Sequence, residues 1–165
     1  MSEFEKEEKL KAQLEDKFGG AISDMIIQRK DRVWFEIKAE QLVELMNFMK
    51  TGMGFNRVST ITGVDEGEKL GAFYHLTDEN GIVTVRAKTP RTDPHLPTIT
   101  GVFPGAEPYE RELADMFGIK IDGLKPGRRY PLPDDFPTDQ YPLRKDWKVG
   151  DAYPEEKTSP ATEAK

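Results

Sequence analysis

Cysteine is missing from all 165 residues. That absence removes three chemistries at once: a disulfide scaffold, an iron–sulfur cluster held by thiolates, and a thiol nucleophile. Histidine is nearly as scarce, with only His75 and His95. Neither belongs to a His-Glu-x-x-His helix. His75 falls in a strand pattern, where a structural role is expected, and His95 sits between prolines and is expected at the surface. Apolar runs are short, and none approaches the ~20 residues that cross a bilayer. The Glu- and Lys-rich stretch from Met1 to Lys17 lacks the apolar centre of a secretory leader. The chain therefore reads as soluble, reaching a membrane only through a partner. Positive charge is in deficit, with 24 Lys and Arg against 30 Asp and Glu and a formal net charge of −6. Nucleic-acid-binding domains normally carry the opposite balance, so nucleic acid is not an expected partner. Gly52-Met53-Gly54 lacks the spacing and the Lys-Ser/Thr ending of a phosphate loop, and no fixed internal period marks a repeat protein.

What is present supports one core that does not use the whole chain: hydrophobic residues make up 36% and charged residues 33%. Leu10, Leu14 and Phe18 recur at helical spacing and predict a helix over residues 3–18, stopped by Gly19-Gly20 in the left-handed conformation. Ile22 to Gln28 suits a strand. Val33, Phe35 and Ile37 alternate with Trp34 and Glu36, the pattern of a half-buried strand. Leu42, Leu45, Met46 and Met49 predict a helix over 39–50, and the methionines of 46–53 are read as core and helix-end packing. Strands are expected at Phe55–Thr62, Leu70–Leu76 and Ile82–Lys88, the last two joined by a hairpin at Asn80-Gly81. The sum is an α+β domain over residues 1–89, a small mixed sheet with two helices.

The texture changes after Thr89. Pro90, Pro94, Pro97 and Pro104 predict a surface loop. A short helix follows at about Glu107 to Phe117, with Tyr109, Leu113, Met116 and Phe117 on its apolar face and Gly118 as its stop. Residues 90–118 are thus a linker and a short helix. Residues 119–149 are rich in proline yet carry Ile119, Ile121, Leu124, Tyr130, Leu132, Phe136, Tyr141, Leu143 and Trp147. Disordered segments are normally poorer in such residues. The expectation is an extended arm that packs on a partner protein, with residues 150–165 as a polar, frayed tail.

Charged residues cluster at Glu110-Arg111-Glu112 with Asp115, at Arg128-Arg129, and at Arg144-Lys145-Asp146. Arg111 and Asp115 are i, i+4 and are expected to pair, leaving Glu110 and Glu112 free for basic partners. Arg128, Arg129 and Arg144 carry the planar fork that suits carboxylates. A solvated helix followed by a charged loop would give the same pattern. The expected partner contacts are Glu110, Arg111, Glu112, Asp115, Arg128, Arg129 and Arg144. Hydrolysis by Glu110, Glu112 or Asp115 is disfavoured because pairing with Arg111 keeps them ionised. Asp134, Asp135 and Asp139 lack the Gly and terminal Glu of an EF-hand loop, so no metal site is expected there.

The order of these clusters resembles the 30-kDa subunit family of respiratory complex I, which also occurs in archaeal F420H2 dehydrogenases and membrane-bound nickel–iron hydrogenases. Glu110, Arg111, Glu112, Asp115, Met116 and Phe117 fit its signature. So do the following Gly118-Ile119, Arg128-Arg129, Leu132-Pro133-Asp134-Asp135 and Pro142-Leu143-Arg144-Lys145-Asp146. Pro97-Thr98-Ile99 and Phe103-Pro104-Gly105-Ala106 look similar too. Three departures lean towards a hydrogenase-like or archaeal complex: Gly123-Leu124-Lys125-Pro126 replaces a Gly-His-Pro, and Pro108 and Phe136 stand where Trp is frequent. The resemblance implies a cofactor-free accessory subunit on the cytoplasmic face of the cell membrane. Its partners would be a hydrogenase-like large subunit and an iron–sulfur small subunit, which carry the iron–sulfur clusters and, in the hydrogenase branch, nickel–iron. The alternative is a free-standing adaptor that binds some other protein through the arm.

Overall fold

The computed structural model describes residues 4–79 and 81–152. Asn80 and most of the expected tail lie outside the described residues.

Helix α1 (Glu5–Phe18) buries Leu14 and Phe18 and carries Glu5, Glu7 and Glu8 in its first turn and Lys17 in its last, the arrangement that suits the helix dipole. Gly19 stays in the right-handed region (φ −37°), and the chain tightens into a 3-10 turn at Gly19–Ala21. The left-handed stop expected there does not form. Strands β1 (Ile22–Arg29) and β2 (Arg32–Lys38) make an antiparallel hairpin. Helix α2 (Leu42–Thr51) then places Leu42, Leu45, Met46 and Met49 fully inside. Strands β3 (Arg57–Asp65), β4 (Lys69–Asp78) and β5 (Gly81–Pro90) return as an antiparallel meander. The sheet order is β1-β2-β5-β4-β3, with β2 and β5 parallel at its centre. This is the expected α+β layer with a mixed sheet.

One face of the sheet makes the core. Val33, Phe35 and Ile37 pair in register with Val83, Val85 and Ala87, and these with Leu76, Tyr74 and Ala72. All of them are buried. Gly81 has φ +140°, and a Cβ there would lie 2.5 Å from the Asp31 carbonyl oxygen, so both conformation and space select glycine at the start of β5.

The segment after β5 is not a surface loop. Leu96, Ile99, Val102, Phe103 and Ala106 join the same buried cluster, and β6 (His95–Pro97) pairs in parallel with β7 (Lys120–Asp122). Proline is tolerated here because these bonds call on no proline N–H: Lys120 N–H donates to the Pro94 carbonyl at 2.9 Å, and beside Pro97 it is the Thr98 N–H that donates to the Asp122 carbonyl at 2.9 Å. Residues expected as a linker therefore extend the core.

Helix α3 (Glu107–Phe117) packs Leu113 and Phe117 against β3. The approach is close because Gly63 faces it: a Cβ at 63 would collide with the Phe117 ring and come within 2.9 Å of Leu113. Gly118 ends the helix at φ +67°, as expected. Beyond β7 the chain runs largely without regular structure to a single turn, α4 (Val149–Ala152).

Candidate partner-docking site

The charged residues of α3 act first within their own chain. Glu110 is fully buried. Its carboxylate accepts the Thr98 hydroxyl at 2.5 Å and the Ile99 N–H at 2.6 Å. Burial pushes its pKa up, opposed by those two hydrogen bonds. The expectation that Glu110 stays free for a partner is corrected: it ties α3 to the segment that follows β6.

The expected Arg111–Asp115 pair does not form. Arg111 donates to Glu107 through Nε (3.1 Å) and Nη2 (2.8 Å), and to the Lys125 carbonyl at 3.0 Å. Glu107–Arg111 is also an i, i+4 pair and has the acid on the N-terminal side, the better orientation against the helix dipole. Gly127 leaves room for that guanidinium, with which a Cβ would collide. Asp115, freed from Arg111, accepts Arg129 Nε at 2.7 Å and the Leu132 N–H at 2.9 Å. Arg129 also donates to the Phe136 carbonyl at 2.7 Å and lies 5.8 Å from the centre of the Phe136 ring.

Arg144 closes the end of α3. Its Nε donates to the Phe117 carbonyl at 2.7 Å, and the Leu143 N–H reaches the Met116 carbonyl at 3.1 Å. These are orphan carbonyls of a helix C-terminus, where cationic donors are favoured. The guanidinium stacks 4.3 Å from the Tyr141 ring centre. A Cβ at Gly118 would meet both side chains, Tyr141 at 2.5 Å and Arg144 at 2.7 Å.

A further latch involves Asp65 and Arg91, which sequence reasoning did not single out. Asp65, at the end of β3, accepts the Gly67 N–H at 2.9 Å, Arg91 Nη1 at 2.7 Å and the Lys145 N–H at 2.9 Å. Arg91 pairs in turn with Asp146. Burial works to raise the Asp65 pKa, but the hydrogen bonds from Arg91, Lys145 and Gly67 outweigh it and hold the group at about 2. No local signal marks this contact, since its ends are 80 residues apart.

The remaining expected contacts stay available. Glu112 is half-buried and has no hydrogen bond or ion pair among the described residues. The Arg128 side chain is 83% exposed, 3.8 Å from Asp134. Three large apolar side chains of the arm also face outward: Tyr130 (50% exposed), Leu143 (48%) and Val149 (71%). Ile119 and Phe136, by contrast, turn into the chain's own interior. The arm thus has a partner within the molecule, contrary to the expectation that it must lie wholly on a foreign surface.

Both histidines hydrogen-bond within the chain. His75 Nδ1 is 3.0 Å from the Thr84 hydroxyl. His95 bridges Asp122 (2.9 Å) and Asp93 (3.1 Å) beside β7. The hydrogen bond with Asp122 raises its pKa most. Among the described residues no cluster of three His, Asp or Glu is placed to hold a metal ion, and no helix is long and apolar enough to cross a membrane.

Residues 35–153, which include every latch described above, match the family described as respiratory-chain NADH dehydrogenase, 30 Kd subunit. The chain belongs to that family. Its 30-kDa-type sequence is 36% identical over 141 residues to formate hydrogenlyase subunit 5 of Escherichia coli (strain K12), covering 82% of this chain but 25% of that one. It is 36% identical over 124 residues to the membrane-bound hydrogenase subunit beta of Pyrococcus furiosus, covering 72% of each. The 30-kDa-type fold recurs in a solved archaeal respiratory membrane complex, the membrane-bound sulfane sulfur reductase. There the TM-score is 0.77 over 98% of this chain and 99% of the other, at 24% identity. The chain therefore spans only a quarter of one relative and most of another.

Proposed function

We propose that this 30-kDa-type chain is an accessory, cofactor-free assembly subunit in the peripheral electron-transfer arm of a membrane-bound, ion-translocating oxidoreductase, either hydrogenase-like or complex I-like. It carries no reaction of its own. Its partners are a hydrogenase-like large subunit and an iron–sulfur small subunit, and it meets the membrane, on the cytoplasmic face, through them. Relatives named as a membrane-bound hydrogenase subunit and a formate hydrogenlyase subunit support this reading over a free-standing adaptor. So does the quarter-length match: in that relative the same region is one part of a longer polypeptide.

The observation that carries the reading is the two-sided arm. Its polar groups turn inward to α3 and β3, and Tyr130, Leu143 and Val149 turn outward. Exposed apolar side chains gathered on one segment mark a surface that another protein covers. Glu112 and Arg128 supply direct polar contacts at its rim. Glu110, Arg111, Asp115, Arg129 and Arg144 act by holding the arm in shape for the partner.

The test replaces Tyr130, Leu143 and Val149 together with Ser in the full chain. Co-purification with the iron–sulfur and membrane subunits should be lost while the melting temperature of the isolated chain stays within about 6 °C of wild type, since each of the three surface changes rarely exceeds about 0.5 kcal/mol. Intact co-purification would overturn the assignment.

A further inference from the structure

Helices α1, α2 and α3 all bury their apolar residues in one core cluster. The registers of the five strands define what lies on the opposite face. Ile26, Trp34, Thr84, His75 and Thr60 form one uncharged row across all five strands. Ser23, Glu36, Arg86, Phe73 and Thr62 form the row on one side of it, and Arg29, Arg32, Ile82, Thr77 and Arg57 the row on the other. None of the helices described covers these rows.

The two flanking rows differ in how their charges are used. In the first, Arg86 pairs with Glu36 at 2.6 Å and Glu66 at 3.1 Å, and Lys88 pairs with the same two carboxylates. Glu36 and Glu66 on that side are thus already paired. In the second, Arg29, Arg32 and Arg57 have no ion pair or hydrogen bond among the described residues. Acids also stand beside that row: Asp31 is 3.5 Å from Lys6, Glu7 of α1 accepts the Asp31 N–H at 2.6 Å, and Asp78 and Glu79 line one cleft with Arg57. Between the two rows sit Ile26, 52% exposed, and Trp34, whose ring centre is 6.4 Å from that of Phe73. The His75 pKa is lowered by burial and then by Arg32, so the uncharged row stays neutral near pH 7.

We propose that this uncovered sheet face is a second docking surface, separate from the arm, and that its occupant is an acidic polypeptide segment. Apolar side chains of that segment rest on Ile26, Trp34 and Phe73, and its carboxylates pair with Arg29, Arg32 and Arg57. Arginine's planar fork suits bidentate carboxylate pairing, and Trp and Arg are the residue types that dominate binding energy at interfaces. A chain of net charge −6 repels an extended polyanion or an anionic bilayer as a whole, whereas a single acidic segment meets only the local basic row. A second copy of this face would bring the same unpaired arginines, and its carboxylates are already engaged. The proposal rests on the assembly reading above in taking the occupant to be another subunit.

The test is arginine labelling with phenylglyoxal, read residue by residue by mass spectrometry in the free full-length chain and in the purified complex. Arg29, Arg32 and Arg57 should each react at least about fivefold more slowly in the complex, as expected for groups buried at an interface core. Unchanged reactivity overturns the proposal. Arg128 reports on the arm in the same data, so its failure to be protected would sink the arm reading without touching this one. Protection that survives delipidation and nuclease treatment supports a polypeptide occupant. Loss on either treatment overturns it in favour of lipid or nucleic acid, and protection of the free chain through self-association, seen by light scattering, overturns it in favour of a dimer. As a second readout, Arg29→Glu/Arg32→Glu/Arg57→Glu should weaken assembly at least about tenfold at low salt, with less difference at high salt. Equal assembly at both salt concentrations would also overturn the proposal.

Discussion

The sheet and the arm are held by different forces. In the sheet, Phe35, Ile37, Leu45, Met46, Tyr74 and Val85 are sealed from water by one another, and stability is spread over a continuous apolar interior. In the arm, a few charged groups do the holding: Asp115 with Arg129, the end of α3 with Arg144, and Asp65 with Lys145 and Arg91. A distributed core fails all at once. Point attachments fail one at a time and leave the rest of the molecule standing. For a subunit that presents an arm to its neighbours, the second kind permits local adjustment without unfolding the body that displays it.

The largest expected effect strikes the core. Phe35 is fully buried on β2 at the centre of the sheet, so Phe35→Ala should cost about 3–5 kcal/mol. Urea unfolding followed by circular dichroism would show a single transition at much lower denaturant. A loss below about 1 kcal/mol would mean that the two regions are not held so differently.

The arm should break locally. Asp115→Ala removes the acceptor of both Arg129 and the Leu132 N–H, at about 2 kcal/mol because a half-buried guanidinium loses its partner. Hydrogen exchange should accelerate at Leu132 while amides of β4 and β5 stay protected. Acceleration throughout the sheet would erase the contrast.

That contrast was only half legible beforehand. Repetition reveals a core: Leu42, Leu45, Met46 and Met49 recur at helical spacing, and Val33, Phe35 and Ile37 alternate, because burial imposes the period of the backbone on the side chains. The polar latches carry no period. Arg111 had two carboxylates at i±4, and dipole orientation decided for Glu107 over Asp115. Glu110 looked like a surface acid because nothing local says that Thr98 and Ile99 fold over it. Prolines after Thr89 read as a loop, although Pro94 needs only its carbonyl to join the short parallel ladder and Pro104 opens a 3-10 turn. The family motifs were visible as an ordered set of residues, while their own-chain pairings required the tertiary structure.

Acid should loosen one attachment selectively. The folded pKa of Asp65 is about 2, below its ordinary 3.8. A depressed carboxylate contributes stability that is present above its unfolded pKa and is lost as pH falls through the folded value. Asp65 is almost wholly buried, and its contribution is on the order of 2 kcal/mol, fading between about pH 4 and pH 2. Limited pepsin digestion across that window should cut first near Lys145. Asp65→Asn should show the same opening at pH 7, read there by limited trypsin digestion at Lys145, because pepsin works only in acid. Cutting that begins in β3 or β4 instead would place the weak point in the sheet.

The smallest effect tests whether the core is as complete as the comparison requires. The Tyr74 hydroxyl is buried with no hydrogen-bond partner among the described residues. Burial and, after it, the charge of Glu110 push its pKa upward, so the group stays neutral. An unsatisfied buried hydroxyl is a cost that the ring around it does not need. Tyr74→Phe keeps the ring and removes that oxygen, and should therefore be neutral or stabilising by up to about 1 kcal/mol. Thermal unfolding of the two chains at pH 7 decides the sign. A destabilisation above about 1 kcal/mol would mean that the hydroxyl has a partner in solution, such as a buried water shared with Glu110, and that the interior under α3 is partly polar where the sheet's stability was taken to be wholly apolar.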